Sequence, residues 1–160
     1  MPPKEQLKLI KRLNNNIISI DYNPTYMKEY KQNKKTLKEI ASKVNIAFPN
    51  QKEAKTITEE NNIKKAAKKL HQWGTELVII THGQKGGVIY NGKKFKKYNA
   101  LPIKEKEIVD QTGAGDSFIG GFLANYSKDQ NIDKSIEQGT KRAKKVLQKK
   151  GSWSIECSIL

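Results

Sequence analysis

The sequence predicts an α/β fold: a parallel sheet flanked by helices, with a β-hairpin at the sheet edge. Three observations predict it. Short β-branched runs alternate with helical periodicity up to Thr81, which is the pattern of parallel βαβ units. The run Leu77–Thr81 (LVIIT) is apolar without alternation, as a strand covered on both faces must be. Asn91-Gly92 separates two further short runs, a hairpin signature. A chain of 160 residues has room for one core rather than two, so residues 1–160 are read as a single domain.

Leu7, Leu9, Ile10 and Leu13 place an apolar stripe on a short helix over Gln6–Leu13. Ile17–Ile20 reads as a buried strand whose C-terminal end presents Asp21 and Asn23, ahead of the turn-rich Tyr22–Tyr26. Leu37, Ile40, Ala41 and Val44 share one face of a helix over Thr36–Val44. Ile46–Phe48 is a short strand that Pro49 stops before Asn50. A helix over Ile63–Trp73 ends at Gly74. After Leu77–Thr81, the runs Val88–Tyr90 and Phe95–Tyr98 form the hairpin, with Asn91-Gly92 as a primed turn. Beyond Asp110 the chain is helical twice, around Ala114–Tyr126 and Ile132–Gln148.

Bulk composition excludes several classes. No stretch approaches the ~18 consecutive apolar residues that cross a bilayer, and the charged start MPPKEQLKLIKRL is not a secretory signal. Cys157 is the only cysteine, which leaves internal disulfides and zinc templates empty. The expected compartment is the cytoplasm. The net charge of +15 invites a nucleic-acid reading, but Arg12 and Arg142 are the only arginines, and the lysines fall on helix faces such as Lys64, Lys65, Lys68 and Lys69. Bidentate arginine readers and aromatic–basic interleaving are both missing. The charge reads as solvated helix surface, with a docking face for an acidic partner left open.

The stretch that carries chemistry is Asp110-Gln111-Thr112-Gly113-Ala114-Gly115-Asp116-Ser117-Phe118. Small residues at a helix start let a bound group approach the backbone, and the exposed amides and helix dipole favour an anion such as phosphate. Asp116 in the first turn could accept a proton from an attacking hydroxyl. An ordinary glycine turn with an acidic first-turn residue fits the local physics equally well. A dinucleotide fingerprint fails because Phe118 stands where a third glycine is needed. The run from Gly87 to Lys93 has P-loop spacing, but Lys94 replaces the Ser or Thr and the run lies in a hairpin, so it is accidental.

Asp110–Phe118 resembles the C-terminal signature of the ribokinase-like (PfkB) carbohydrate and nucleoside kinases. Asn50-Gln51-Lys52-Glu53 resembles that family's Asn-x-x-Glu motif, and Thr81-His82-Gly83-Gln84-Lys85-Gly86 its Thr-x-Gly-x-x-Gly loop. Asp21-Tyr22-Asn23-Pro24 resembles its Asp-x-Asn segment. The resemblance implies a three-layer ribokinase-like (Rossmann-like) sheet and ATP-dependent phosphorylation of a sugar or nucleoside hydroxyl. It implies Asp116 as catalytic base, with Gly113, Ala114 and Gly115 as the anion hole. Asn50 and Glu53 would act through water on Mg2+, while Thr81, Gly83, Gly86 and Thr140 would lie at ATP. Asp21, Asn23 and Asp110 would face the substrate side. Lys141 and Arg142 stand where small residues are common, which puts adenine specificity in question. Taken singly, Asn50 and Glu53 read as a helix cap and a first-turn acid. His82 reads as structural or loop-exposed, His71 as solvated, and Trp73 and Trp153 as packing residues.

The resemblance covers only the C-terminal half of the family's usual length; its N-terminal strands, di-glycine hinge and β-sheet lid have no counterpart here. A sheet cut in the middle would leave an apolar strand edge open. A separate N-terminal half, a homo-oligomer through that edge, a truncated chain or a non-catalytic remnant would each account for it.

Overall fold

A computed structural model describes residues 1–13, 17–22 and 24–151. The chain divides into two compact units, Met1–Asn99 and Ala100–Leu160. The first holds a five-stranded sheet in the order β1 (Ser19–Ile20), β2 (Ile46–Ala47), β3 (Leu77–Thr81), β4 (Gly87–Tyr90), β5 (Phe95–Tyr98). β1, β2 and β3 are parallel, whereas β4 and β5 continue the sheet antiparallel. This is the helix-flanked α/β sheet with an edge hairpin that the periodicity predicts.

Five helices accompany the sheet: α1 (Pro3–Ile10), α2 (Met27–Gln32), α3 (Lys34–Ala41), α4 (Gln51–Thr58) and α5 (Ile63–Gln72). Leu37 and Ile40 of α3, Ala54 and Ile57 of α4, and Ala66, Ala67 and Leu70 of α5 meet Val78, Ile80 and Tyr90 in one core. Ile79 and Ile89, paired across β3 and β4, point to the opposite face and are buried as well. Burial on both faces explains the unbroken apolar run of β3.

α2 is absent from the sequence-based expectation. Its apolar signal is thin, and tertiary contacts supply the missing stabilisation. Tyr30 is fully buried, meets the Tyr22 ring edge-on at 5.5 Å and donates its hydroxyl to Gln6 Oε1 at 2.8 Å. The buried Tyr22 hydroxyl has no hydrogen-bond partner among the described residues, where an unmet bond costs about 1–3 kcal/mol. α1 begins earlier than its apolar stripe, with proline in its first turn, where a missing N–H does no harm. It also stops earlier, and Leu9 and Leu13 stay exposed.

The hairpin forms without the primed turn. Tyr90 pairs with Phe95, so the loop spans four residues. Only Gly92 has positive φ there, and Asn91 Oδ1 instead accepts from the amides of Lys93 (3.2 Å) and Lys94 (3.1 Å). His71 is also packed rather than solvated. Its Nδ1 lies 2.8 Å from the Thr75 carbonyl oxygen and its ring stands edge-on to Tyr90 at 5.3 Å. A Cβ at Gly92 would come within 2.5 Å of His71 Nε2. Trp73 packs partly buried against the core, as expected; Trp153 and Cys157 lie outside the described residues.

The second unit contains a 3-10 turn (Glu105–Glu107) and two long helices, α6 (Ala114–Asp129) and α7 (Ile132–Leu147). Glycine lets these helices touch backbone to side chain. A Cβ at Gly139 would sit 2.8 Å from the Phe118 carbonyl oxygen, and one at Gly121 would sit 2.8 Å from Arg142 Cγ. No described helix is long and apolar enough to cross a membrane.

Candidate active site

In the first unit, parallel register aligns the carboxyl ends of three strands, with Ile20 beside Ala47 and Ala47 beside Val78. Ligands of open α/β sheets bind at such ends. Asp21 follows β1 there and is exposed; Asn23 lies outside the described residues. One further bridge joins Asn50 to Thr81, and the Thr81 amide donates to the Pro49 carbonyl at 3.1 Å. The start of α4 is thereby held against the β3–β4 loop.

α4 opens with a capping box. Asn50 Oδ1 accepts from the Glu53 amide at 3.0 Å, and Glu53 Oε2 accepts from the Asn50 amide at 2.8 Å. The helix-cap reading is therefore correct as local structure, and Glu53 as a residue is 5% exposed. Burial raises the Glu53 pKa to about 7; the Asn50 amide opposes that rise and the negative charge of Asp21 adds to it. Between about pH 4.5 and 7 the folded chain thus binds a proton that the unfolded chain releases. Stability falls as pH rises through that window. Glu53→Gln keeps an acceptor and removes the charge. Its melting temperature at pH 8 is expected to exceed wild type by about 2–4 °C, the shift that roughly 1 kcal/mol produces at this size. At pH 4 the two proteins should melt together. Thermal melts at the two pH values check this.

The β3–β4 loop turns on Gly83 (φ 53°) and Gly86 (φ 76°). The His82 amide donates to the Gly86 carbonyl at 2.7 Å, which closes the loop. A Cβ at Gly83 would meet nothing within 4 Å, so its backbone faces open space. Asn50, Gln51, Lys52, Lys55, Thr81, His82 and Gly83 line one open cleft. Lys52, Lys55 and His82 were not assigned to a site from the sequence. The two lysines stand three apart, a helical-face signal, but it is hidden among many lysines of the same spacing.

In the second unit, Gly113 caps α6 in the left-handed region at φ 78°, a conformation that costs other residues about 1–2 kcal/mol. Asp110 organises the loop before it. One carboxylate oxygen accepts from the Thr112 amide at 2.9 Å and the other from the Gly151 amide at 3.1 Å. These bonds hold its pKa below the usual carboxylate value, with Thr112 the largest cause. The Ala114 amide donates to the Gln111 carbonyl at 3.3 Å. The Gly115 and Asp116 amides meet no acceptor among the described residues. Asp116 is exposed on the same first turn. Thr140 sits buried on α7, and its hydroxyl bonds back to the carbonyls of Ile136 (3.0 Å) and Glu137 (2.9 Å). It can offer a ligand only oxygen lone pairs and a methyl group.

The donor set bears on magnesium. No group of three or more His, Cys, Asp or Glu side chains gathers among the described residues. Glu53, with Asp21 close enough to perturb it, supplies one or two carboxylates. That set fits an ion held mainly by water and phosphate, which is how Mg2+ prefers to bind.

Comparison with known proteins agrees with the fold. A cytidine kinase of Thermococcus kodakarensis is 50% identical over 155 residues, which cover 97% of this chain and 55% of that protein. A nucleoside kinase of Methanocaldococcus jannaschii superposes with a TM-score of 0.79 at 29% identity, over 95% of this chain and 48% of its own. A ribokinase of Thermotoga maritima gives 0.79 at 27% identity, over 95% and 49%. The chain spans about half the length of these relatives. Residues 3–156 match the pattern described as pfkB family carbohydrate kinase, and with the same fold in solved kinases the chain belongs to the pfkB family.

Proposed function

We propose that residues 1–160 form part of an ATP-dependent kinase domain that phosphorylates a hydroxyl of a nucleoside or sugar. The observation that carries this reading is the start of α6, where two amides with no acceptor among the described residues stand beside the exposed carboxylate of Asp116. Asp116 takes the proton from the acceptor hydroxyl, the alkoxide oxygen bonds to the γ-phosphorus, and the bond from phosphorus to the β–γ bridging oxygen breaks. ADP leaves with that electron pair. Gly113, Ala114 and Gly115 are assigned to the anion hole, in which the amides of Gly115 and Asp116 stabilise charge on the transferring group. Glu53 and Asn50 would hold Mg2+ through its waters, and the ion when bound would neutralise phosphate charge. Thr81, Gly83, Gly86 and Thr140 are assigned to ATP, and Asp21, Asn23 and Asp110 to the acceptor side. The 50% identity with a cytidine kinase makes cytidine the first acceptor to test.

The half-length match supports a complementary half as partner, and the two sheet edges differ in their fitness to receive it. β5 carries exposed Lys96 and Lys97, which discourage strand addition. β1 carries no charged residue, and Leu9, Leu13 and Ile17 are exposed in the segments leading to it. The partner strand is assigned to β1. A cytoplasmic setting suits this chemistry.

The test co-expresses this chain with the part of the Thermococcus kodakarensis cytidine kinase that it does not match. The complex is then assayed for ADP release with MgATP and cytidine, adenosine, ribose or fructose. Acceptor-dependent ADP release is the expected result. A stable complex that binds ATP yet phosphorylates none of them would make the chain a non-catalytic nucleotide-binding relative instead.

A further inference from the structure

We infer that α5 and the β4–β5 hairpin present a lysine face that holds the phosphate backbone of double-stranded RNA without reading its sequence. The face uses none of the residues assigned to phosphate transfer and does not depend on the kinase reading. From Asn61 to Asn99 nine lysines accompany one carboxylate, Glu76, so more than half of the net charge of +15 sits on about a quarter of the chain. As sequence these lysines read as solvated helix surface; the fold gathers them on one side of the sheet.

The sheet register does the gathering. Tyr90 pairs with Phe95 and Val88 with Lys97. Tyr90 belongs to the core that α5 covers, and side chains two apart on a strand share a face, so Phe95 and Lys97 stand on the α5 side of β5. Lys64 and Lys68, one turn apart on α5, bring their ammonium groups to 5.6 Å and 5.9 Å from the Phe95 ring centroid. Lys93 and Lys94 are exposed in the loop before β5. Like charges this close on one helix face repel. Lys69 of the same helix meets Glu60 at 2.9 Å, whereas Lys64, Lys68, Lys93, Lys94 and Lys97 meet no carboxylate among the described residues.

The chemistry of the face selects its partner. No arginine lies in this stretch, which excludes bidentate base readout but leaves lysine point charges for phosphates. Membranes and protein pockets take up apolar anchors. Every exposed large hydrophobic residue among those described lies outside Asn61–Asn99. Phe95 is half-buried, stacked on Tyr90 at 4.3 Å and held beneath the two ammonium groups. Its ring is thereby closed to the base stacking that single strands use. α5 rests on the core through Ala66, Ala67 and Leu70, with its lysines reaching sideways over β5, and does not stand out as a helix that enters a B-DNA major groove must. The wide, shallow minor groove of A-form RNA offers phosphates and 2′-hydroxyls to such a surface.

Fluorescence anisotropy of the full chain with a labelled RNA duplex of about 16 base pairs tests the face. The variants are Lys64→Gln/Lys68→Gln and, as a control of equal net charge, Lys28→Gln/Lys35→Gln, exposed on α2 and α3. Glutamine matches lysine in helix propensity, so both variants should melt with wild type. Five lysines on phosphates predict that wild-type affinity falls about 10²–10³-fold between about 50 and 200 mM salt. The Lys64/Lys68 variant should bind about 10-fold more weakly, with a salt slope shallower by about two contacts. The control should stay near wild type. Equal weakening of both variants traces binding to net charge and overturns the face, as does a wild-type chain that binds no RNA. Binding that ignores salt overturns the phosphate contact. Tighter binding of a DNA duplex or a single strand overturns the choice of duplex RNA. Tighter binding of polyglutamate or of phosphatidylserine vesicles assigns the face to an acidic protein or a membrane instead. The kinase reading survives each of these results, because it turns on the start of α6.

Discussion

Asp116→Asn is expected to lower turnover by about 10²–10⁴-fold, the range supplied by a positioned general base. The amide is nearly isosteric with the carboxylate but cannot accept the hydroxyl proton. ATP affinity should hold or improve, because a negative charge is removed from the neighbourhood assigned to phosphate oxygens. Folding should barely change. Asp116 is exposed, and its interaction with the helix dipole is worth only about 0.3–1 kcal/mol. The decisive comparison is kcat against ATP Kd in the complemented kinase. A variant that keeps its kcat would move the base to another residue and remove the main support for the mechanism.

Gly115→Ala separates a phosphate cradle from a plain glycine turn. The added Cβ would meet no protein atom within 4 Å. Gly115 lies inside α6 without positive φ, where alanine is favoured by up to about 1 kcal/mol. The melting temperature should therefore hold or rise slightly. If a transferring phosphoryl group approaches the amides of Gly115 and Asp116, the methyl group stands in its way. Turnover should then fall about 10²-fold, comparable to losing one donor of an oxyanion hole. Gly113→Ala is a poorer probe, because its left-handed backbone confounds strain with function. Full activity in Gly115→Ala, together with an unchanged melting curve, would mean that the anion binds elsewhere.

These two variants and Glu53→Gln address different properties. Asp116 concerns the proton, Gly115 the space for the phosphoryl group, and Glu53 a carboxyl whose burial is unfavourable to the unliganded fold. In the proposed reading, the raised pKa of Glu53 fits a residue held for a ligand. A carboxylate beside Asp21 is poorly placed until a cation arrives, and a local stability defect at such a place is what functional sites commonly carry.

Much of this was legible without coordinates, because it depends on short-range regularities. The unbroken run of β3, the glycines before α6 and the long periodic stretches of α6 and α7 each announce their element within a few residues of chain. The order of strand and helix then dictates parallel neighbours, while the glycine–alanine–glycine–aspartate stretch takes its proposed chemistry from the family resemblance. What stayed illegible depends on residues distant in sequence. α2 exists because Tyr30 finds Tyr22 and Gln6. The hairpin loop takes four residues, with His71 packed beneath Gly92. The anomaly of Glu53 arises from burial and from Asp21, neither of which its own segment reveals. Lys52 and Lys55 look like any other surface lysines until the Asn50–Thr81 bridge sets them on a cleft. Periodicity and motif spacing are local properties that the sequence by itself determined; burial, register and the company a charge keeps are sums over the folded chain, and only the tertiary structure decided them.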